Sequence, residues 1–123
     1  MKFNTFGPTN KKVFRVGIGT YGHGEAYGGI TEKESLEIFR SATEHITQEA
    51  CLLIDTAPRY ASGIVEAWIG KFPREYKRDN ILIATKGGRH IEPGRVNEKD
   101  FSSAFLRADL EASLQRLGVD SVF

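Results

Sequence analysis

Two short apolar runs are the most regular feature of the hydrophobic pattern. Residues 51–54 and 81–84 are apolar at consecutive positions, and a polar segment follows each run directly. Strands that are apolar on both faces are typical of a parallel sheet that helices cover. The pattern also predicts a first buried strand at residues 13–18 and the beginning of a fourth strand at residues 119–123.

Three amphipathic segments alternate with these strands. Thr31 and Glu34 have the spacing of a capping box, which predicts the start of the first helix. The second helix is predicted to begin near Ser62 and the third near Asp100. Apolar side chains recur at helical spacing in all three segments: Leu36, Phe39, Ala42 and Ile46; Ile64, Val65, Trp68 and Ile69; Leu106, Leu110, Leu114 and Leu117.

Glycine and proline mark the ends of the elements. Gly70 with Pro73 is expected to end the second helix, and Gly118 to follow the third helix as its C′ residue. Residues 3–6 and 12–14 flank a turn composition at residues 7–10 and are predicted to form a short ribbon.

The predicted order is β-α-β-α-β-α-β, with no internal repeat. Alternation of strands and helices indicates an α/β fold whose crossovers are right-handed. Two architectures remain open on the pattern alone: an open doubly wound sheet, or part of a (β/α)8 barrel. At 123 residues the chain forms one domain at most.

Polar side chains follow the ends of two predicted strands. Asp55 follows residues 51–54, Lys86 follows residues 81–84, and Tyr60 lies in a segment that Pro58 prevents from continuing as a strand. Parallel-sheet folds build their active sites at this end of the strands.

These three residue types are suited to proton transfer. A phenol has a pKa of about 10, and a neighbouring ammonium lowers that pKa by favouring the phenolate. A carboxylate paired with the lysine holds the cation charged and in place. Asp55, Tyr60 and Lys86 therefore predict a tuned general acid that delivers a proton to a carbonyl oxygen. The structural alternative is that Asp55 caps a loop while Lys86 is simply solvated.

Gly17, Gly19 and Gly22 have the spacing of the dinucleotide-binding fingerprint. That fingerprint requires a helix to open within the motif, and an acidic residue about 20 positions further on. Here the helix begins only near Thr31, and Asp55 lies too far along the chain. We therefore expect a glycine-rich turn, with a backbone-lined rim for a ligand as the alternative.

The histidines are weak signals, because no pair of them has metal-ligand spacing. His23 lies in the glycine-rich loop, within reach of a ligand, and His45 lies on the first predicted helix. His90 follows Lys86 closely and is expected near the mouth of the site.

Charge and cysteine content exclude several classes of function. Seventeen basic residues balance sixteen acidic ones, which argues against a nucleic-acid or membrane surface. A single cysteine, Cys51, permits no disulfide framework and favours a reducing compartment. The first residues lack the apolar region of a signal peptide, and no apolar stretch approaches the length of a membrane span. We therefore expect a cytoplasmic protein.

The sequence resembles the aldo-keto reductases over nearly its whole length. The resemblance rests on residues 55–60 and 85–88, together with residues 17–21, 62–70 and 110–120. It implies a (β/α)8 barrel that reduces a small carbonyl compound with NADPH or NADH, reversibly and without a metal. The ribbon at residues 3–14 would close the bottom of the barrel. Residues 55–58 resemble most the branch of the family that acts on sugars and small aldehydes.

The resemblance also implies individual roles. Tyr60 would be the proton donor, tuned by Lys86 and Asp55. Gly19, Thr20 and Tyr21, with Asp55, would line the cofactor side of the pocket. Two local departures stand out: Ala61 replaces the glycine that the family usually has after the tyrosine, and residues 45–50 replace a short glycine turn.

The length is the largest departure. A full barrel takes about 250 residues, so we interpret residues 1–123 as the N-terminal half: strands 1–3, helices 1–3 and the start of strand 4. The family's catalytic histidine would lie about five residues beyond Phe123.

Two hypotheses follow from this length. Either the chain is half of a reductase, through truncation, cloning or gene splitting, or it is a non-catalytic half-barrel that serves as a remnant or interaction module. The reading frame after codon 123 discriminates between them. On its own, the chain is expected to be inactive and to self-associate.

Overall fold

The fold alternates parallel strands with helices, as the sequence predicts. The computed structural model describes residues 2–44, 46, 49–72, 80–96 and 98–123. Within these residues, a two-stranded antiparallel ribbon precedes a three-stranded parallel sheet of order β3-β4-β5. The strands are β1 (Phe3–Thr5), β2 (Lys12–Phe14), β3 (Ile18–Gly19), β4 (Leu52–Asp55) and β5 (Ile81–Ala84), and the helices are α1 (Glu32–Glu44), α2 (Ile64–Lys71) and α3 (Ser103–Leu117).

The prediction of one buried strand over residues 13–18 is wrong. Val13 pairs with Asn4 inside the ribbon, Val16 is 74% exposed, and the first parallel strand is only Ile18–Gly19. Backbone bonds also attach the ribbon to the amino end of β4: the N–H of Phe14 donates to the Cys51 carbonyl at 3.0 Å. An apolar run does not reveal which neighbour its backbone will pair with, and here the run divides between two sheets.

One hydrophobic cluster lies between the parallel sheet and the helices. Its buried members come from α1, α2, α3 and β4 and include the residue that follows α2: Phe39, Leu52, Ile54, Val65, Ile69, Phe72 and Leu117. The capping box of α1 forms, since the N–H of Thr31 donates to Glu34 Oε2 at 2.7 Å and the N–H of Glu34 donates to Thr31 Oγ1 at 3.3 Å.

The predicted inner faces are only partly correct. Ile64 is half exposed, and Leu106 and Leu110 of α3 are also exposed, whereas Glu66 is fully buried on the inner side of α2. Helical periodicity identifies a face of a helix, but it does not say how far a neighbouring element covers that face.

Helix α2 ends between Gly70 and Pro73, as the sequence predicts. It continues to Lys71, with Phe72 as its C-cap, and Pro73 lies outside the described residues. A Cβ at Gly70 would overlap the Arg116 carbonyl of α3, so this glycine permits a close helix crossing.

The start of α3 differs slightly from the prediction, whereas its end agrees. The N-cap is Ser102, whose Oγ accepts the N–H of Phe105 at 3.3 Å. Asp100 lies two residues earlier and accepts the N–H of Ser102 at 2.8 Å. Gly118 follows the helix in the left-handed region, at φ 63°, as its position predicts.

The predicted fourth strand is not formed over residues 119–123. The N–H of Phe123 donates to the Ile83 carbonyl at 2.8 Å, so pairing with β5 begins only at that residue. Among the helices of the described residues, none combines the length and the apolar character that crossing a membrane requires.

Candidate active site

The ends of β4 and β5 bring three predicted residues together. The two strands are in register with Asp55 opposite Ala84, so Lys86 projects from the loop directly beyond that pair. Lys86 Nζ lies 2.8 and 2.9 Å from the carboxylate oxygens of Asp55, 3.0 Å from the Thr56 carbonyl and 3.3 Å from Tyr60 Oη. One ammonium thus connects the carboxylate and the phenol.

The Lys86 ammonium is held in its charged form. Partial burial lowers its pKa, but hydrogen bonds to Asp55 and Tyr60, with the negative charge of Asp55, outweigh that effect and raise the pKa above its ordinary value. Both side chains of the ion pair are about half exposed, 52% for Lys86 and 49% for Asp55. The pair therefore remains accessible to a ligand.

A left-handed turn carries Tyr60. In the 3-10 segment Tyr60–Gly63, Ala61 has φ 48°, Ser62 has φ 52° and Gly63 has φ 88°. Left-handed backbone costs a non-glycine residue about 1–2 kcal/mol, which explains why a glycine after the tyrosine suits this turn. The ring of Tyr60 makes an edge contact with Tyr21 at 5.2 Å between centroids.

Of the residues expected to line the cofactor, Gly19 and Tyr21 are open to solvent, whereas Thr20 is buried. Adding a Cβ to Gly19 would meet nothing within 4 Å, and Tyr21 is 53% exposed beside Tyr60. Thr20, in contrast, is fully buried, and both its N–H and its hydroxyl donate to the Asp55 carbonyl, at 2.9 and 3.0 Å. The backbone at Gly19 is thus open, beside the exposed Tyr21, while Thr20 fixes the loop to the end of β4 through the Asp55 carbonyl.

Two cavities flank Tyr60. One, of about 380 Å³, is lined by aromatic, small and glycine residues and by Arg59. The other, of about 370 Å³, is lined by Lys86 together with further basic residues. Tyr60 and Arg59 line both cavities, of which the first is otherwise uncharged and the second is mainly basic.

The sequence reasoning missed a buried polar network behind the site. The fully buried carboxylate of Glu66 accepts Arg116 Nε at Oε2 and the Thr85 hydroxyl at Oε1, both at 2.7 Å. Arg116 Nη2 also donates to Ser113 Oγ at 3.1 Å. Thr85 precedes Lys86, and a Cβ at Gly63 would come within 2.8 Å of Arg116 Cδ, so the network contacts both site-bearing segments. The sequence held one sign of this network: Glu66 directly follows Val65, on the apolar face of the second helix.

Two of the histidines are buried. His23 is buried, its Nδ1 lies 2.7 Å from Ser35 Oγ, and its ring stacks on Phe39, so the expectation that it reaches a ligand is wrong. Burial lowers the pKa of His23.

His90 is also buried, and it directly follows Arg89, which lines a cavity beside Tyr60. Arg95 can only donate, so His90 Nε2 accepts from it at 3.1 Å and Nδ1 carries the proton towards Glu92 at 3.2 Å. His45 lies outside the described residues. Among the residues that the structure describes, no cluster of histidine, cysteine, aspartate and glutamate side chains is suited to hold a metal ion.

Comparison with known proteins finds relatives over almost the whole chain. Residues 15–122 match the aldo/keto reductase family. The aldo-keto reductase YhdN of Bacillus subtilis is 33% identical over an alignment of 133 residues. The alignment covers 99% of this chain and 36% of that protein. The NADH-specific methylglyoxal reductase of Escherichia coli is 30% identical over 138 residues, covering 99% and 40%.

A solved structure shows the same fold. The holo form of the aldo-keto reductase AKR11C1 from Bacillus halodurans superposes with a TM-score of 0.78 at 28% identity, covering 99% of this chain and 38% of that one. The chain therefore spans well under half the length of these relatives, and its strand–helix units are part of a (β/α)8 barrel with an N-terminal ribbon. This chain belongs to the aldo/keto reductase family.

Proposed function

We propose that this chain carries the proton-donating part of an NAD(P)H-dependent oxidoreductase, which reduces aldehydes or ketones and, in reverse, oxidises alcohols, sugars among them. The observation that carries the proposal is the position of Lys86 Nζ, 3.3 Å from Tyr60 Oη while Asp55 holds it at 2.8 Å. The family of the chain supports an oxidoreductase.

Each residue has a distinct role in the proposal. The Tyr60 hydroxyl delivers a proton to the carbonyl oxygen of the substrate, and the Lys86 ammonium stabilises the phenolate that remains. Asp55 keeps that ammonium charged and oriented. Gly19 and Tyr21, with Asp55, would line the nicotinamide cofactor, which supplies the hydride when bound, and the buried Thr20 would hold their loop in place. Either NADPH or NADH suits these residues, and the cytoplasm, which is reducing, suits the single Cys51.

A second part of the proposal is that residues 1–123 do not catalyse alone. A cavity of about 400 Å³ lies at the edge of the parallel sheet, lined largely by apolar residues of the kind that a closed barrel covers, including Ile54, Ile81, Ile83 and Phe123. Open sheet edges and an apolar cavity favour association between copies. The alternative function, a non-catalytic half-barrel that binds a partner, draws on the same feature.

The test replaces Tyr60 by Phe, which removes only the proposed donor oxygen. It is made on the 123-residue chain and on the longest polypeptide that its reading frame encodes, by following NADPH and NADH absorbance with a panel of aldehydes. We expect the longer polypeptide to turn over, and Tyr60→Phe to lower turnover by about a hundredfold or more with cofactor affinity nearly intact.

Tyr27→Phe is the matched control, because Tyr27 is exposed and lies against Tyr21 rather than Lys86. Turnover by Tyr60→Phe within a few-fold of wild type would exclude Tyr60 as the donor. Absence of turnover at every length would favour the half-barrel binding module. Light scattering on the 123-residue chain reports its self-association, and a monomer that turns over an aldehyde would contradict the second part of the proposal.

A further inference from the structure

The basic cavity beside Tyr60 is not explained by proton transfer. Besides Tyr60 and Lys86, its lining includes Arg59, Arg89 and Lys99. Lys86 is neutralised by Asp55, but among the described residues the side chains of Arg59, Arg89 and Lys99 have neither an ion pair nor a hydrogen bond. Three cations without acidic partners therefore surround one cavity of about 370 Å³ next to the phenol.

The backbone holds two of these cations side by side. Arg89 and Lys99 face each other across an isolated antiparallel bridge, which places their side chains on one face. Like charges in directly opposite positions are destabilising. A bound anion would offset this repulsion, since its negative charge would lie between the two positive charges.

Nearby acids are already engaged elsewhere. Glu92 accepts the Nδ1 proton of His90, Glu98 pairs with Arg95, and the Asp100 carboxylate accepts the N–H of Ser102; these three acids do not line the cavity. Among the described residues, the one carboxylate that lines the cavity is Asp109, whose Oδ2 accepts the N–H of Gly88 at 3.0 Å. The lining thus keeps an excess of positive charge.

We propose that this cavity binds the anionic group of the substrate, so that the preferred substrates are carbonyl compounds that carry a carboxylate or phosphate. Arg59 and Arg89 present planar guanidinium groups, which match these anions in paired hydrogen bonds, and Lys99 adds a point charge. Phe101, 67% exposed, lines the same cavity and offers an apolar surface to the carbon skeleton. The placement of the carbonyl at Tyr60 rests on the proposed function, whereas the anion site does not.

The first test measures binding by the chain itself. Benzoate and benzamide, which have the same shape but differ in charge, are titrated into the labelled 123-residue chain and followed by amide NMR shifts. We expect benzoate to shift the signals of Gly87 and Phe101, and benzamide to leave them unchanged. Added salt should weaken the binding of benzoate, because it screens the charges. Inorganic phosphate, as a second probe, tests whether the site also accepts a phosphate group.

Variants identify the cations responsible. Arg89→Gln and Lys99→Gln are expected to weaken benzoate binding by about tenfold, while Arg40→Gln on the distant exposed face of α1 leaves it unchanged. Thermal unfolding confirms that each variant is folded. Equal responses to benzoate and benzamide, or equal affinities in Arg89→Gln and Arg40→Gln, would overturn the proposal.

The second test separates this proposal from the proposed function. On the longest polypeptide of the reading frame, para-carboxybenzaldehyde is compared with its methyl ester. We expect Arg89→Gln to raise KM for the acid by about tenfold, with kcat and the kinetics of the ester unchanged. Turnover without preference for the acid would contradict the anion site and leave the proposed function standing. Charge-selective binding without any turnover would contradict the proposed function and support the anion site.

Discussion

Two ion pairs in this chain have nearly the same length and opposite surroundings. Lys86 Nζ lies 2.8 Å from Asp55 Oδ1, and Arg116 Nε lies 2.7 Å from Glu66 Oε2. Both members of the first pair are about half exposed, whereas the Glu66 carboxylate is completely buried. The first pair lies at the strand ends beside Tyr60; the second lies between α2 and α3.

Their surroundings give the two pairs different tasks. An exposed pair contributes about 0–1 kcal/mol to stability, because water and salt screen it. Removing one partner of a buried pair costs about 3–5 kcal/mol, because a desolvated charge is left without compensation. We therefore infer that the Asp55–Lys86 pair is available for chemistry, while Glu66 and Arg116 hold in place the segments that carry the site.

The largest effect is expected from breaking the buried pair. Arg116→Met keeps much of the side-chain volume but leaves the Glu66 carboxylate uncompensated, so the free energy of unfolding should fall by about 3–5 kcal/mol. Urea unfolding of the chain measures it. The double variant Glu66→Leu/Arg116→Met removes both charges and should recover most of the loss. A single variant as stable as wild type would mean that water already solvates Glu66.

A smaller, opposite effect is expected in the turn that carries Tyr60. Ala61→Gly relieves a left-handed residue at φ 48°, so we expect a gain of about 1 kcal/mol in the free energy of unfolding, after the extra chain entropy of glycine is subtracted. The same change at Ala112, inside α3, is the control and should cost about 1 kcal/mol. Equal losses at both positions would indicate that Ala61 is not left-handed in solution.

The exposed pair should contribute less still to stability. Lys86→Met is expected to change the free energy of unfolding by less than about 1 kcal/mol, because both partners are half solvated. In the longest encoded polypeptide, the same variant should lose carbonyl reduction, since it removes the ammonium that lies 3.3 Å from Tyr60 Oη. Destabilisation as large as that of Arg116→Met would remove the distinction between the two pairs.

The smallest effect is expected from the buried imidazole of His23. Burial lowers its pKa from 6.5, so between the folded and the unfolded pKa values the unfolded chain binds more protons than the folded chain. The contribution of His23 to stability is therefore complete above pH 6.5 and is lost as the pH falls below that value. Unfolding free energies measured from about pH 7 to about pH 5 should fall less steeply in His23→Gln. The same dependence of the unfolding free energy on pH in His23→Gln and in wild type would contradict the lowered pKa of His23.

Some of this protein is determined within single segments. The Thr31–Glu34 capping box, the Gly118 cap and the apolar runs of β4 and β5 depend on spacing along the chain, and the structure confirms them. The meeting of Asp55 and Lys86 follows from one further rule, that adjacent parallel strands end at the same edge of a sheet. Their catalytic roles, with that of Tyr60, remain predictions.

The tertiary structure alone decided the rest. Glu66 is buried because α3 crosses α2 closely at Gly70 and brings Arg116 over the carboxylate, and no local pattern contains that crossing. His23 turns into the core because Ser35 and Phe39 of α1 receive its ring. Periodicity reports the preference of one segment for water or for an interior, but burial and polar partners depend on which other segment arrives, and that is settled only when the chain folds.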